Sequence, residues 1–176
     1  MLGGNEPTLY AYTDADFARD TEDRTSTGGY AIFLGNGVVS WSSKKQTIVA
    51  LSSTEAKYIV LSEAAQEVLW LWWFLQEIEI EINGPTTIYQ DNLGMKAFAL
   101  NEKSPCHMKY IKVKYHFIKS HISQNTLKIA YMPTSQMTAY IFTKFFPLPK
   151  YALHSKSLNI STQEGVWEYE HQVAWH

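Results

Sequence analysis

Residues 50–78 read ALSSTEAKYIVLSEAAQEVLWLWWFLQEI, and their pattern decides the fold. Ala56, Val60, Ala64, Val68, Leu71, Leu75 and Ile78 recur at steps of three or four, which builds one apolar face and predicts a long helix. Ser52 and Glu55 have capping-box spacing, so the helix is expected to start there. Trp70, Trp72, Trp73 and Phe74 cannot all face one core. At least one is expected at the surface, either as a partner face or under the carboxy-terminal residues, the second reading being slightly favoured. The apolar run 68–75 is well short of the ~20 residues of a membrane span.

Working outward, LYAYTD (9–14) alternates with period two and predicts a strand. YAIFL (30–34) and VVSWS (38–42) flank Gly35-Asn36-Gly37, a strong hairpin signal, with a polar loop (18–29) before them. After the long helix, TTIY (86–89) predicts a short strand, and Asp91 can cap a helix of about ten residues. Ile111, Tyr115, Ile118 and Ile122 mark another helix, and LKIAYM (127–132) a strand ended by Pro133. Ser135 is expected to cap a last helix reaching Lys144. Antiparallel strands followed by helices alternating with single strands predict an α/β mixed sheet with helices over its faces.

The chain has 176 residues, 45% of them hydrophobic, which excludes intrinsic disorder and suits one domain. Residues 1–145 are expected to form it, and 146–176 a partly packed tail. A single cysteine, Cys106, excludes an internal disulfide framework and a cysteine-built zinc site. His116 and His121 lie off one helical face and have no carboxylate beside them, so no zinc is expected. There is no secretory-type amino terminus, and the expected placement is intracellular, away from membranes. The net charge of −2 predicts a weak non-specific grip on phosphates.

Three carboxylates stand at the ends of elements: Asp14 after the first strand, Glu55 in the first helical turn, and Asp91 after the middle strand. In an open sheet, ligands favour the carboxyl ends of strands. Adjacent strands would bring the two aspartates together, and the helix could lay Glu55 against them. Magnesium relieves the repulsion of such a cluster with oxygen ligands, and two ions can stabilise both oxygens of a phosphodiester displacement. Taken singly, Asp14 is also a good turn residue, Glu55 a capping-box partner and Asp91 an N-cap.

YTDADFARD (12–20), DRTSTGGYAIFLGNGVVSWSSKKQ (23–46), the 50–78 segment, IYQDN (88–92), YHFI (115–118) and AYIFTK (139–144) carry a family likeness. Together they resemble the ribonuclease H domain in the Pol polyprotein of copia-type LTR retrotransposons, over roughly residues 9–160. The resemblance implies a five-stranded mixed sheet flanked by helices and cleavage of the RNA strand of an RNA–DNA hybrid with two Mg2+ or Mn2+ ions. It implies that Asp14, Glu55 and Asp91 are the catalytic metal ligands. It also implies a reverse transcriptase domain of the same polyprotein as partner, and a cytoplasmic, virus-like-particle setting. An integrase core shares the fold class but places its glutamate late in the chain, which disfavours it.

The chain departs from that family at several positions. The family reads Ala-Asp-Ile-Phe-Thr-Lys near its end, and the aspartate is the fourth metal ligand; here Tyr140 stands in its place. A neutral phenol is a poor magnesium ligand, and an activity loss of roughly a hundredfold or more is expected. Lys57 replaces an acidic residue, Trp72 an arginine, Tyr110 a histidine and Phe145 a proline. Two readings follow: an impaired metal-dependent endonuclease, or a non-catalytic remnant with at most weak hybrid binding. Arg24, Thr25 and Ser26 are candidate phosphate contacts, with a capped polar loop as the equal alternative. Lys44 and Lys45 read as a solvated pair, Cys106 as an ordinary thiol, and His107 lies near the family's mobile helper histidine.

Overall fold

The computed structural model describes residues 7–18, 24–92, 109–144 and 158. The capped helix following Asp91, Cys106, His107 and Phe145 fall outside these residues, as does all of the 146–176 segment except Leu158. The side chain of Tyr110 is likewise outside the description.

Five strands form one mixed sheet: β1 (Leu9–Asp16), β2 (Thr27–Leu34), β3 (Gly37–Lys45), β4 (Thr86–Gln90) and β5 (Leu127–Tyr131), in the order β3-β2-β1-β4-β5. The β1–β2 and β2–β3 pairs are antiparallel, whereas β1–β4 and β4–β5 are parallel. This is the five-stranded mixed sheet that the sequence predicts. Only two residues, Gly35 and Asn36, join β2 to β3, because Leu34 pairs with Gly37. The positive φ of 59° falls on Gly35, so glycine takes the first loop position, where a side chain would be strained.

The long helix is α1 (Ser53–Glu77), and the second described helix is α2 (Lys109–Ser123). The Ser52 side chain accepts from the Glu55 backbone N–H at 3.2 Å, as the capping spacing requires. The reciprocal contact is shifted by one residue: the Glu55 carboxylate accepts from the Leu51 N–H at 2.7 Å. Ala56, Val60, Ala64, Val68, Leu71 and Leu75 are buried, while Ile78, just past the helix, is exposed. Trp70, Trp73 and Phe74 lie on the open side; Trp72 turns inward and donates through Nε1 to the Thr86 hydroxyl at 2.8 Å.

The period-two strands divide the core between two sheet faces. Leu9, Ala11, Ile32, Ile88 and Leu127 face α1 and α2, meeting Tyr58, Leu61, Val68, Tyr115 and Ile118. On the other face Ala31 and Phe33 pack with Leu158, Tyr10, Tyr12 and Phe142. Two glycines let β2 lie tightly between these layers. A Cβ on Gly28 would collide with Val60 Cγ2, and one on Gly29 would come within 2.6 Å of Phe142 Cβ.

The expected helix from Ser135 to Lys144 does not form. Two 3₁₀ turns, Thr134–Gln136 and Thr138–Phe142, take its place, with neither start capped by a side chain. Met137 between them is extended (φ −75°, ψ 98°) and fully buried, packed with Ala139 and Tyr140 near Tyr12 and Met132. Burying that side chain breaks the helical path, so tertiary packing overrides the local pattern.

Candidate functional site

Parallel pairing places the two aspartates. Tyr12 is level with Tyr89, and carrying the register two residues on brings Asp14 level with Asp91 at the carboxyl ends of adjacent strands. Asp14 is still within β1, opposite Gly29, and is 1% exposed. The start of α1 reaches the same edge, where the Asn92 side-chain amide donates to the Thr54 hydroxyl at 3.4 Å. Gln46 clamps this first turn by donating from Nε2 to the Ala56 carbonyl at 2.8 Å.

A lysine lies between the aspartates. The Lys57 Nζ is 3.4 Å from Asp14 Oδ1 and donates a hydrogen bond to Asp91 Oδ1. All three side chains are largely enclosed, at 14% exposure for Lys57, 0% for Asp14 and 7% for Asp91. The other carboxylate oxygens accept from hydroxyls of the 134–143 segment. Thr143 donates to Asp14 Oδ2 at 2.5 Å, Tyr140 to Asp91 Oδ2 at 2.6 Å, and Thr134 to that same Asp91 oxygen at 3.3 Å. Asp14 Oδ1 accepts no hydrogen bond among the described residues.

The electrostatics follow from these contacts. Burial pushes the Asp91 carboxyl up, but the hydrogen bonds from Lys57 and Tyr140 and the Lys57 charge outweigh it, leaving it below the ordinary carboxylate range. Burial, followed by the hydrogen bond to Asp91, pushes the Tyr140 phenol well above its ordinary value. Tyr140 is therefore a protonated donor at neutral pH. The Lys144 ammonium lies 4.0 Å from its ring centroid.

The sequence-derived candidates are thus distributed unequally. Asp14, Asp91 and Tyr140 meet. Glu55 stands one residue from the Thr54–Asn92 contact, but its carboxylate is engaged with Leu51. Among the described residues no group of three His, Cys, Asp or Glu converges as a metal cage. Ser26 is fully buried and accepts from the Ala18 N–H at 3.1 Å, Thr25 is 9% exposed, and of these three candidates Arg24 is the one open to solvent. Thr134 and Thr143 were not singled out by sequence reasoning; Thr143 lies three residues after Tyr140 within the AYIFTK motif, which was its available signal. The chemistry of this donor set does not fit a pair of divalent cations. An ammonium fills the notch between the aspartates, and a neutral phenol covers the outer oxygen of Asp91.

The fold is that of the ribonucleases H. The structure of LC11 ribonuclease H1 in complex with an RNA/DNA hybrid superposes with a TM-score of 0.52 and 14% identity, covering 74% of this chain and 88% of that one. The amino-terminal ribonuclease H domain of Rv2228c from Mycobacterium tuberculosis gives 0.53 and 11%, covering 85% and 99%. The chain's homologues are copia-type Pol polyproteins. It is 39% identical to the retrovirus-related Pol polyprotein from transposon RE2 of Arabidopsis thaliana over 157 residues, 89% of this chain. It is 38% identical to that from transposon RE1 of the same plant over 163 residues, 93% of this chain, and 37% to that from TNT 1-94 of Nicotiana tabacum over 152 residues, 86% of this chain. The chain spans 11% of the length of each of these three relatives. No family model matches it.

Proposed function

We propose that the chain is a ribonuclease H-type domain of a copia-like Pol polyprotein whose catalytic centre is closed. It keeps the fold, binds an RNA–DNA hybrid at most weakly and cleaves little of it. The observation that carries this reading is the Lys57 ammonium between Asp14 and Asp91. Tyr140 adds to it by holding the outer oxygen of Asp91. The net charge of −2 leaves little general attraction for phosphates, so hybrid contact would depend on a neighbouring polymerase domain of the same polyprotein. The setting in this reading is intracellular, as the retrotransposon relatives suggest. Among the described residues no helix is long and apolar enough to cross a membrane.

The competing reading is an impaired metal-dependent endoribonuclease, with Asp14, Glu55 and Asp91 as its catalytic carboxylates. Asp14 Oδ1 favours it, since that buried oxygen accepts no hydrogen bond among the described residues and faces the notch. A labelled RNA–DNA hybrid incubated with Mg2+ or Mn2+ decides between them. Closure predicts little cleavage by the native chain and a gain in the Lys57→Glu/Tyr140→Asp double variant. Strong native cleavage that disappears in Asp14→Asn would overturn it.

A further inference from the structure

We infer that Lys57 is a built-in counter-ion: its ammonium offsets one of the two charges of the Asp14–Asp91 pair from within the chain and makes the domain's stability independent of divalent cations. This rests on the closed-centre reading and adds to it what holds the centre together.

Charge and position carry the inference. Two carboxylates at adjacent strand ends, both nearly excluded from water, repel each other strongly unless a cation lies between them. The ammonium is a compact charge with three donors on a flexible stem, and it reaches both residues. Its origin is firmly fixed. The neighbouring Ala56 is fully buried with its carbonyl held by Gln46, and Val60 is pressed against Gly28. The lysine is thus presented to the notch by the packed first turns of α1.

The remaining donors complete the arrangement without adding charge. Thr143 and Tyr140 each supply a neutral hydroxyl to the outer oxygens, so the local sum over Asp14, Asp91 and Lys57 is one negative charge. A divalent ion entering this notch must displace an ammonium already in contact with both aspartates. Removing the ammonium leaves Asp14 Oδ1 and Asp91 Oδ1 facing the vacated space, two hard oxygen donors in need of a cation. Breaking a buried ion pair on one side is costly because the other charge is left uncompensated. The variant should therefore gain a metal response that the native chain lacks.

The experiment compares the native chain, Lys57→Met and Asp14→Asn, with Lys112→Met as a surface control. Thermal melts are recorded in chelator and with Mg2+ or Mn2+, and Mn2+ binding is followed by loss of the free-ion paramagnetic resonance signal. The native melt should not respond to either ion. Lys57→Met should melt lower in chelator, recover with metal, and bind Mn2+ at least about tenfold more tightly than the native chain. Native Mn2+ binding as tight as that of Lys57→Met overturns the inference, as does a Lys57→Met melt equal to the native one and indifferent to metal. Should Lys57→Met fail to fold in either condition, the native chain decides. Mn2+ binding that is lost in Asp14→Asn counts against the inference, and the same lack of binding in both proteins supports it. None of these measurements uses a hybrid, so cleavage by the native chain would remove the proposed function and leave the counter-ion comparison to stand or fall separately.

Discussion

The Tyr140 hydroxyl donates to Asp91 Oδ2 across 2.6 Å, joining the second 3₁₀ turn to the end of β4. This contact connects chain segments 49 residues apart, and Tyr140 is only 7% exposed. Hydrogen bonds to charged groups contribute about 1.5–3 kcal/mol, so Tyr140→Phe should lower unfolding free energy by roughly that amount. Tyr140→Asp should cost more in chelator, since it sets a carboxylate against Asp91. Urea denaturation of the three proteins checks both statements; a Tyr140→Phe midpoint equal to the native one would show that the contact contributes nothing net.

Acid should weaken the fold through Asp91. Its folded pKa is depressed, so between the folded value and the unfolded value of ~3.9 the unfolded chain binds more protons. The stabilisation is complete above the unfolded value and is lost as pH falls through the folded one. Asp91→Asn is expected to flatten this part of the stability–pH curve. Parallel curves for variant and native protein would assign acid sensitivity to other carboxylates.

At Gly28 a methyl group would strike Val60 Cγ2 across the β2–α1 interface. Gly28→Ala should destabilise by about 1–3 kcal/mol, as overpacking does. In the Gly28→Ala/Val60→Ala pair the two costs should not add, because shortening Val60 clears the collision. Additive losses in a double-mutant cycle would locate the strain elsewhere.

The tryptophans of α1 are expected to separate by role. Trp70 is 54% exposed and stacks on Phe74, so Trp70→Ala should change stability by no more than about 0.5 kcal/mol. Trp72→Phe loses the donor to buried Thr86 and should cost about 1–3 kcal/mol. Guanidinium titrations that rank the two variants in the opposite order would contradict this assignment.

Much of the architecture was legible along the chain because its signals are local. Period-two runs located the strands, Gly35-Asn36-Gly37 the hairpin, and the three-and-four spacing after Ser52 the long helix. The segment after Pro133 misled for the opposite reason: nothing local announced that Met137 would be buried, and that burial replaced one helix by two 3₁₀ turns. At the site, the sequence singled out Asp14, Asp91 and Tyr140, and noted Lys57 only as a departure from the family. The capping-box spacing of Ser52 and Glu55 offered the reading in which the Glu55 carboxylate turns back to the backbone, which it does at Leu51; nothing local announced that Ser26 would be enclosed.

What the sequence by itself determined is the order and kind of the five strands and of the two described helices, and the homology to copia-type Pol polyproteins, because periodicity, caps and motifs are written in neighbouring residues. Only the tertiary structure decided which charge stands between Asp14 and Asp91. That depends on the parallel β1–β4 register, the pressing of α1 onto Gly28 and the reach of one lysine stem. Electrostatic interactions depend on distance and burial, and both are set by packing between segments that are remote in the chain.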